Sequence, residues 1–204
     1  MSKQFEVELR GRLTADQAAA LTDYLDKNGT LKTKKRRILI DYSTFLEGGV
    51  RERTKDIRIR STNGEPEIII KLGAWGNNES REEISIPVSH DVRFDALARA
   101  MSVLGYAKGV LAVRNSSIYD YRDVEFAVVE VPGHSYYFEA EKVVAGHDQS
   151  RALRELVDLC QEMQLTVFKD DEFYEYIEEL NRSANSVYDA ETASDDYFRK
   201  NFDI

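Results

Sequence analysis

Glu6-Val7-Glu8-Leu9-Arg10, near the start of this 204-residue chain, alternates charged and apolar residues, and Glu139-Ala140-Glu141 does the same far downstream. Successive side chains of a β-strand leave on opposite faces, so each stretch predicts a strand with its carboxylates on one side. Cations alternate in the same way between them, in Arg58-Ile59-Arg60 and at Lys71, which ends Glu67-Ile68-Ile69-Ile70-Lys71. Strands whose charged faces converge would enclose both signs of charge. A dry core does not tolerate unpaired ions, whereas a cavity holding water, a metal and a polyanion does.

Working outward, strand patterns recur at 5–9, 37–42, 56–60, 67–72, 82–88, 110–114, 124–131 and 136–144. Helical patterns interleave with them. Thr14-Ala15-Asp16-Gln17 reads as a capping box before Leu21, Tyr24 and Leu25, and Asn28-Gly29 supplies the stop. Phe94, Leu97, Ala98, Met101 and Leu104 form a second stripe, and Leu153, Leu156, Val157, Cys160 and Met163 a third. A fourth helix is expected across 171–180, and turn signals stand at 61–64 and 73–78. Many antiparallel strands with inward charge predict an α+β fold, an eight-stranded antiparallel β-barrel with flanking helices, which also removes exposed sheet edges. Residues 1–182 are expected to form that domain. The segment 183–204 is polar and acidic with isolated aromatics, and is expected to be a helical or mobile tail whose aromatics could support a homodimer.

The formal net charge of −9 argues against broad nucleic-acid or anionic-membrane binding, both of which favour a basic footprint. Locally the balance differs: 32–60 is basic and 170–204 acidic. The single cysteine, Cys160, cannot form an internal disulfide and sits on an apolar helical stripe as a small core residue. No apolar run approaches the ~20 residues of a membrane span, and the first residues lack a signal-peptide core, so a cytoplasmic location is expected.

Taken singly, each charged strand face has an ordinary reading as a solvated surface with a local ion pair. Lys71 is sharper, because both faces of its strand are apolar enough to be partly buried. The set is more specific than its members: Glu6, Glu8, Glu83, Glu139 and Glu141 with Arg10, Arg58, Arg60, Lys71, Arg81 and Arg114. Clustered carboxylates without His or Cys partners select hard cations, Mg²⁺ or Mn²⁺, over zinc. Guanidinium and ammonium groups facing such ions suit phosphate oxygens. Other chemistries are poorly served. His90, His134 and His147 lack metal-ligand spacing, and the chain has neither a GxxxxGK[ST] loop nor a GxSxG elbow. Trp75 reads as an exposed loop aromatic, with shielding of the site or base binding as the sharper alternative.

In ordered sequence these residues resemble the CYTH superfamily, the triphosphate tunnel metalloenzymes. The carriers are Glu6-x-Glu8-x-Arg10, Arg58-x-Arg60, Lys71, Arg81-Glu82-Glu83, Arg114, and Val131-x-Gly133 followed by Tyr137-x-Glu139-x-Glu141, spanning roughly 5–144. The resemblance implies that Glu6, Glu8, Glu139 and Glu141 hold Mg²⁺ or Mn²⁺ with help from Glu83. It also implies that Arg58, Arg60, Lys71, Arg81 and Arg114 grip phosphate oxygens. Arg10 replaces the family's usual lysine, Ala112 a frequent cation, Val129 a frequent aspartate and His134-Ser135 a Leu-Gly pair. The implied activity is hydrolysis of a small triphosphate such as ATP, thiamine triphosphate or tripolyphosphate. An adenylyl cyclase releasing cyclic AMP and pyrophosphate, and a non-catalytic nucleotide or polyphosphate sensor, are the alternatives.

Overall fold

A computed structural model describes residues 4–46, 49–73, 81–145 and 147–204. Beyond Gly73, the turn expected at 73–78, Trp75 included, lies outside them. Eight strands follow one another across an antiparallel sheet in the order β1 (Gln4–Leu13), β8 (Ser135–Ala145), β7 (Val124–Val131), β6 (Lys108–Tyr121), β2 (Thr30–Asp41), β3 (Lys55–Thr62), β4 (Glu65–Leu72) and β5 (Glu82–Pro87). A ninth, β9 (Ser186–Asp189), pairs with the start of β6.

Two pairs of helices pack on the apolar face of this sheet. Helix α1 (Ala15–Asn28) has the expected capping box, with Thr14 and Gln17 bonded reciprocally, and stops at Gly29, whose N–H donates to Leu25 O. It packs with α4 (Gln149–Glu162) over Val7 and Leu9 of β1, Phe126 of β7 and Phe138 of β8. On the other half, α3 (Phe94–Val103) and α6 (Tyr197–Phe202) cover Ile38 and Ile40 of β2 and Ile57 and Ile59 of β3. Burying each such large apolar side chain contributes about 1.5–3 kcal/mol. Because these residues alternate with the charged ones, burying the apolar face turns the charged residues to the opposite, concave face.

The expected barrel is not closed by a hydrogen-bonded ladder. Among the described residues, β1 and β5 at the ends of the sheet path meet through one isolated bridge, Glu6 with Arg81. Further along, the free edge of β1 is taken by the segment that precedes α5 (Asp170–Ser183): Phe168 N–H donates to Arg10 O at 2.8 Å. Gly11 permits this approach, since a Cβ there would stand 2.0 Å from Thr166 O and 2.5 Å from a Phe138 ring carbon. A segment pairing at Arg10 occupies the edge that β5 would need.

β2 and β6 run longer than their apolar patterns predicted. Their ends pair with each other from Thr30–Asp120 to Asp41–Val110, with a bulge between Leu31 and Thr33, so ladder hydrogen bonds extend strands whose outer residues are polar. At the C-terminus, Phe198 is fully buried against Phe94, ring centroids 4.8 Å apart, and its N–H donates to Asp95 at 2.8 Å. No helix among the described residues is long and apolar enough to cross a membrane.

Candidate functional site

Strand register carries the charged side chains to one face. In β1 and β8, Glu8 stands opposite Glu141 and Arg10 opposite Glu139. In β3 and β4, Asp56 stands opposite Lys71 and Arg60 opposite Glu67, and across β5 Lys71 meets Glu83. Directly opposed residues of an antiparallel pair share a face. Glu6, Glu8, Glu83, Glu139 and Glu141 with Arg10, Arg58, Arg60, Lys71, Arg81 and Arg114 are on or beside this face.

Two cations tie the glutamates together. The Arg10 guanidinium bonds both Glu8 and, at 3.2 Å, Glu139. Lys71 Nζ lies 2.5 Å from Glu6 Oε2 and 2.9 Å from Glu83 Oε2. The Lys71–Glu6 pair couples β4 to β1 across the seam that the backbone leaves open, while Lys71–Glu83 joins two strands already paired in the ladder. Carboxylates outnumber cations here, and their proton affinities split accordingly. Burial, and then the Glu6 charge with which it shares a hydrogen bond, push Glu141 up to about 10. Burial, reinforced by Glu139 and Glu6 and opposed by Arg10, pushes Glu8 up to about 7. Burial would raise Glu6 too, but Lys71, the bond from Glu141 and Arg10 hold it down at about 2. Glu139 is lowered, the effect of burial being overcome by Arg10 and Arg37.

A second cluster surrounds Asp56, which is fully buried. Its carboxylate takes Arg53 Nε at 3.0 Å, Arg58 Nη2 at 2.7 Å and Arg81 Nη1 at 2.6 Å. Asp41 shares two of these, with Arg53 at 3.0 Å and Arg58 at 3.5 Å. Burial would raise Asp56, yet Arg58, Arg53 and Arg81 hold it at about 2. Sequence reading missed Asp56, Asp41 and Arg53. The available signal was that Asp56, Arg58 and Arg60 fall on alternate residues, hence on one face.

The remaining cations differ in company. Arg60 pairs with Glu67 at 2.5 Å, whereas Arg114 donates to neutral acceptors, Val113 O at 2.7 Å and Asn185 Oδ1 at 2.9 Å. A cavity of about 130 Å³ opens beside Arg10, Arg58, Arg114 and Glu139. Helix α5 covers it with Phe173 and Tyr176, an element that the sequence did not connect with the site. Arg10 stacks over Phe173 at 5.3 Å and Arg12 over Tyr176 at 5.1 Å, while Arg12 also grips Glu179 at 2.9 Å. His134 bonds Ser135 and Ser183 rather than joining the acidic set.

Four glutamates, two of them with carboxyl pKa values raised chiefly by burial, suit a hard divalent ion in donor chemistry. As the side chains stand, their oxygens are turned to Arg10 and Lys71, and no three metal-competent groups among the described residues are gathered about one point. Holding an ion would therefore require these glutamates to exchange their cationic partners for it.

No protein-family model matches the chain, and no curated protein sequence matches it. Solved structures do. The PH1012 protein from Pyrococcus horikoshii OT3 superposes with a TM-score of 0.61 at 16% identity, over 80% of this chain and 94% of that one. A candidate adenylate cyclase from Vibrio parahaemolyticus gives 0.58 at 15% identity, over 80% and 90%. HpAC1 from Hippeastrum, a candidate adenylyl cyclase with a dominant triphosphatase activity, gives 0.52 at 13% identity, over 80% and 89%. The chain thus shares its fold with these solved structures, candidate adenylate cyclases among them.

Proposed function

We propose that this chain is a metal-dependent enzyme that hydrolyses the terminal phosphate of an organic or inorganic triphosphate. The observation that carries this reading is the shared concave face, on which Glu6, Glu8, Glu139 and Glu141 lie across from Arg58, Lys71 and Arg81. The curved sheet is taken as a tunnel, its seam spanned by the contacts of Glu6 with Lys71 and Arg81. Residues 1–182 would form the catalytic unit and 183–204 an appended segment. The fold shared with the Hippeastrum protein, which has triphosphatase activity, favours hydrolysis over cyclisation.

In this reading Glu6, Glu8, Glu139 and Glu141 hold Mg²⁺ or Mn²⁺, with Glu83 assisting. A bound ion would supply charge neutralisation and a more acidic water. Arg10, Arg58, Arg60, Lys71, Arg81 and Arg114 bind phosphate oxygens and stabilise charge that develops on them. Asp56 keeps Arg58 and Arg81 oriented, and a glutamate of the set aligns the attacking water. With an ion held by these glutamates, Lys71 and Arg10 would be free to bond phosphate oxygens.

The test is a panel of ATP, thiamine triphosphate and tripolyphosphate, each with Mg²⁺ or Mn²⁺, reading phosphate, pyrophosphate and cyclic AMP together. Release of orthophosphate without cyclic nucleotide is expected. Pyrophosphate with cyclic AMP would replace hydrolysis by cyclisation, and binding without turnover would leave a sensor.

A further inference from the structure

Arg37 of β2 stands opposite Arg114 of β6 on one side and Thr62 of β3 on the other. All three side chains therefore leave the sheet on the concave face. Like charges directly opposite one another destabilise a sheet, so this pair needs a compensating group. Among the described residues neither arginine has a carboxylate within ion-pair distance. The Arg37 Nε is out of reach of solvent with no hydrogen-bond acceptor. The Thr62 hydroxyl is likewise buried and unbonded. Arg114 is met only by the neutral oxygens of Val113 and Asn185.

The contrast with the neighbouring arginines is sharp. Arg10, Arg53, Arg58, Arg60 and Arg81 each have a carboxylate within 3.2 Å. The field of Arg37 nevertheless reaches into the site, since it helps to hold the Glu139 and Glu67 carboxyls down. Two residues earlier on the same face, the half-buried Lys35 adds a further cation, its amine depressed by burial and by Arg37. Cationic excess thus accumulates beside Glu139 and Glu67, whose carboxylates are already paired with Arg10 and Arg60.

We propose that Arg37, with Arg114 and Thr62, forms an anion subsite that holds one phosphate group of a polyphosphate. This rests on reading the concave face as a triphosphate site, and it adds Arg37 and Thr62, which neither the motifs nor the proposed role set contains, beside Arg114. The guanidinium of Arg37 suits two oxygens of a tetrahedral phosphate, and the Thr62 hydroxyl can donate to a third.

The experiment is calorimetric titration of the full chain with inorganic tripolyphosphate in chelator, together with thermal melts with and without the ligand. Arg37→Gln should weaken binding roughly tenfold or more, the loss of a charge-assisted bond, with Thr62→Val weakening it less and exposed Arg99→Gln not at all. Ligand-free Arg37→Gln should melt no lower than wild type, because an uncompensated cation has been removed, while the rise in Tm brought by tripolyphosphate shrinks. A purely structural arginine would lower the ligand-free Tm instead, which would overturn the subsite. So would unchanged affinity in Arg37→Gln beside a wild type that binds. A wild type that binds no tripolyphosphate, with or without Mg²⁺, overturns the triphosphate reading and the subsite together.

Discussion

The wall formed by β1 and β8 and the wall formed around β3 compensate charge in opposite ways. On the first, Glu6, Glu8, Glu139 and Glu141 crowd about Arg10 and a lysine borrowed from β4. On the second, Arg53, Arg58 and Arg81 share Asp56 and Asp41. An excess of carboxylate can be relieved by protons, which Glu8 and Glu141 retain. An excess of guanidinium cannot, because arginine does not deprotonate in a protein. In the proposed reading the acidic wall would exchange protons for a metal ion, while the basic wall stays cationic and would be satisfied by an anion. Facing one another, they suit a metal and a polyphosphate held together.

Four measurements can break or sharpen that contrast. The largest effect is expected from Glu139→Gln and Glu8→Gln on the acidic wall. If these carboxylates hold the ion as proposed, removing one should forfeit several kcal/mol of transition-state stabilisation, hence roughly a hundredfold or more in kcat, in a chain whose circular dichroism is unchanged. Near-normal turnover would detach these glutamates from the chemistry.

On the basic wall, Asp56→Ala leaves Arg58 and Arg81 without their shared carboxylate in a buried place, and should cost about 3–5 kcal/mol of stability in denaturant melts. A cost under about 1 kcal/mol would mean that water replaces the carboxylate and that the wall is not preorganised by it. Lys71 joins the two walls. Lys71→Ala should raise KM or lower kcat by about tenfold while leaving the chain folded, since Glu6, which burial would raise and chiefly Lys71 holds low, can answer the loss by taking up a proton. Wild-type kinetics would remove Lys71 from the site.

The smallest effect is a pH dependence of the metal-free protein. Glu8 and Glu141 have carboxyls raised in the folded state, to about 7 and about 10, so the folded chain binds more protons than the unfolded one above about pH 4.5. Their contribution is whole below that pH and is lost as pH rises through 7 and toward 10. Glu6 and Asp56, held at about 2, act in the opposite sense and lose their contribution only as pH falls toward that value. The Tm in chelator should therefore fall from pH 5 to pH 9, and Mg²⁺ should flatten the decline by replacing the protons. A profile that is flat in chelator would contradict the crowding of the acidic wall.

Much of this arrangement was legible in the chain. Glu6, Glu8 and Arg10 on one face and Val7 and Leu9 on the other follow from the two-residue period of a strand, and the helices followed from equally local stripes and the Thr14 cap. Other features escaped because their signals were weak or non-local. The outer reaches of β2 and β6 are polar and show no apolar alternation, so only their mutual pairing makes them strands. Asp56 went unread because aspartate is disfavoured in strands and its partners Arg53 and Arg81 come from outside β3. Arg37 looked like one more charge in a basic run until register set it against Arg114.

The order of residues alone therefore determined which side chains share a face, since backbone geometry settles that within a few residues. Tertiary structure decided who meets whom: Lys71 with Glu6 across 65 positions, Phe168 on the edge at Arg10, α5 over the cavity. It also left the seam between β1 and β5 to one bridge and an ion pair instead of a ladder. Such pairings depend on register between distant segments and on which of them reaches a free strand edge, and neither is written into any local pattern.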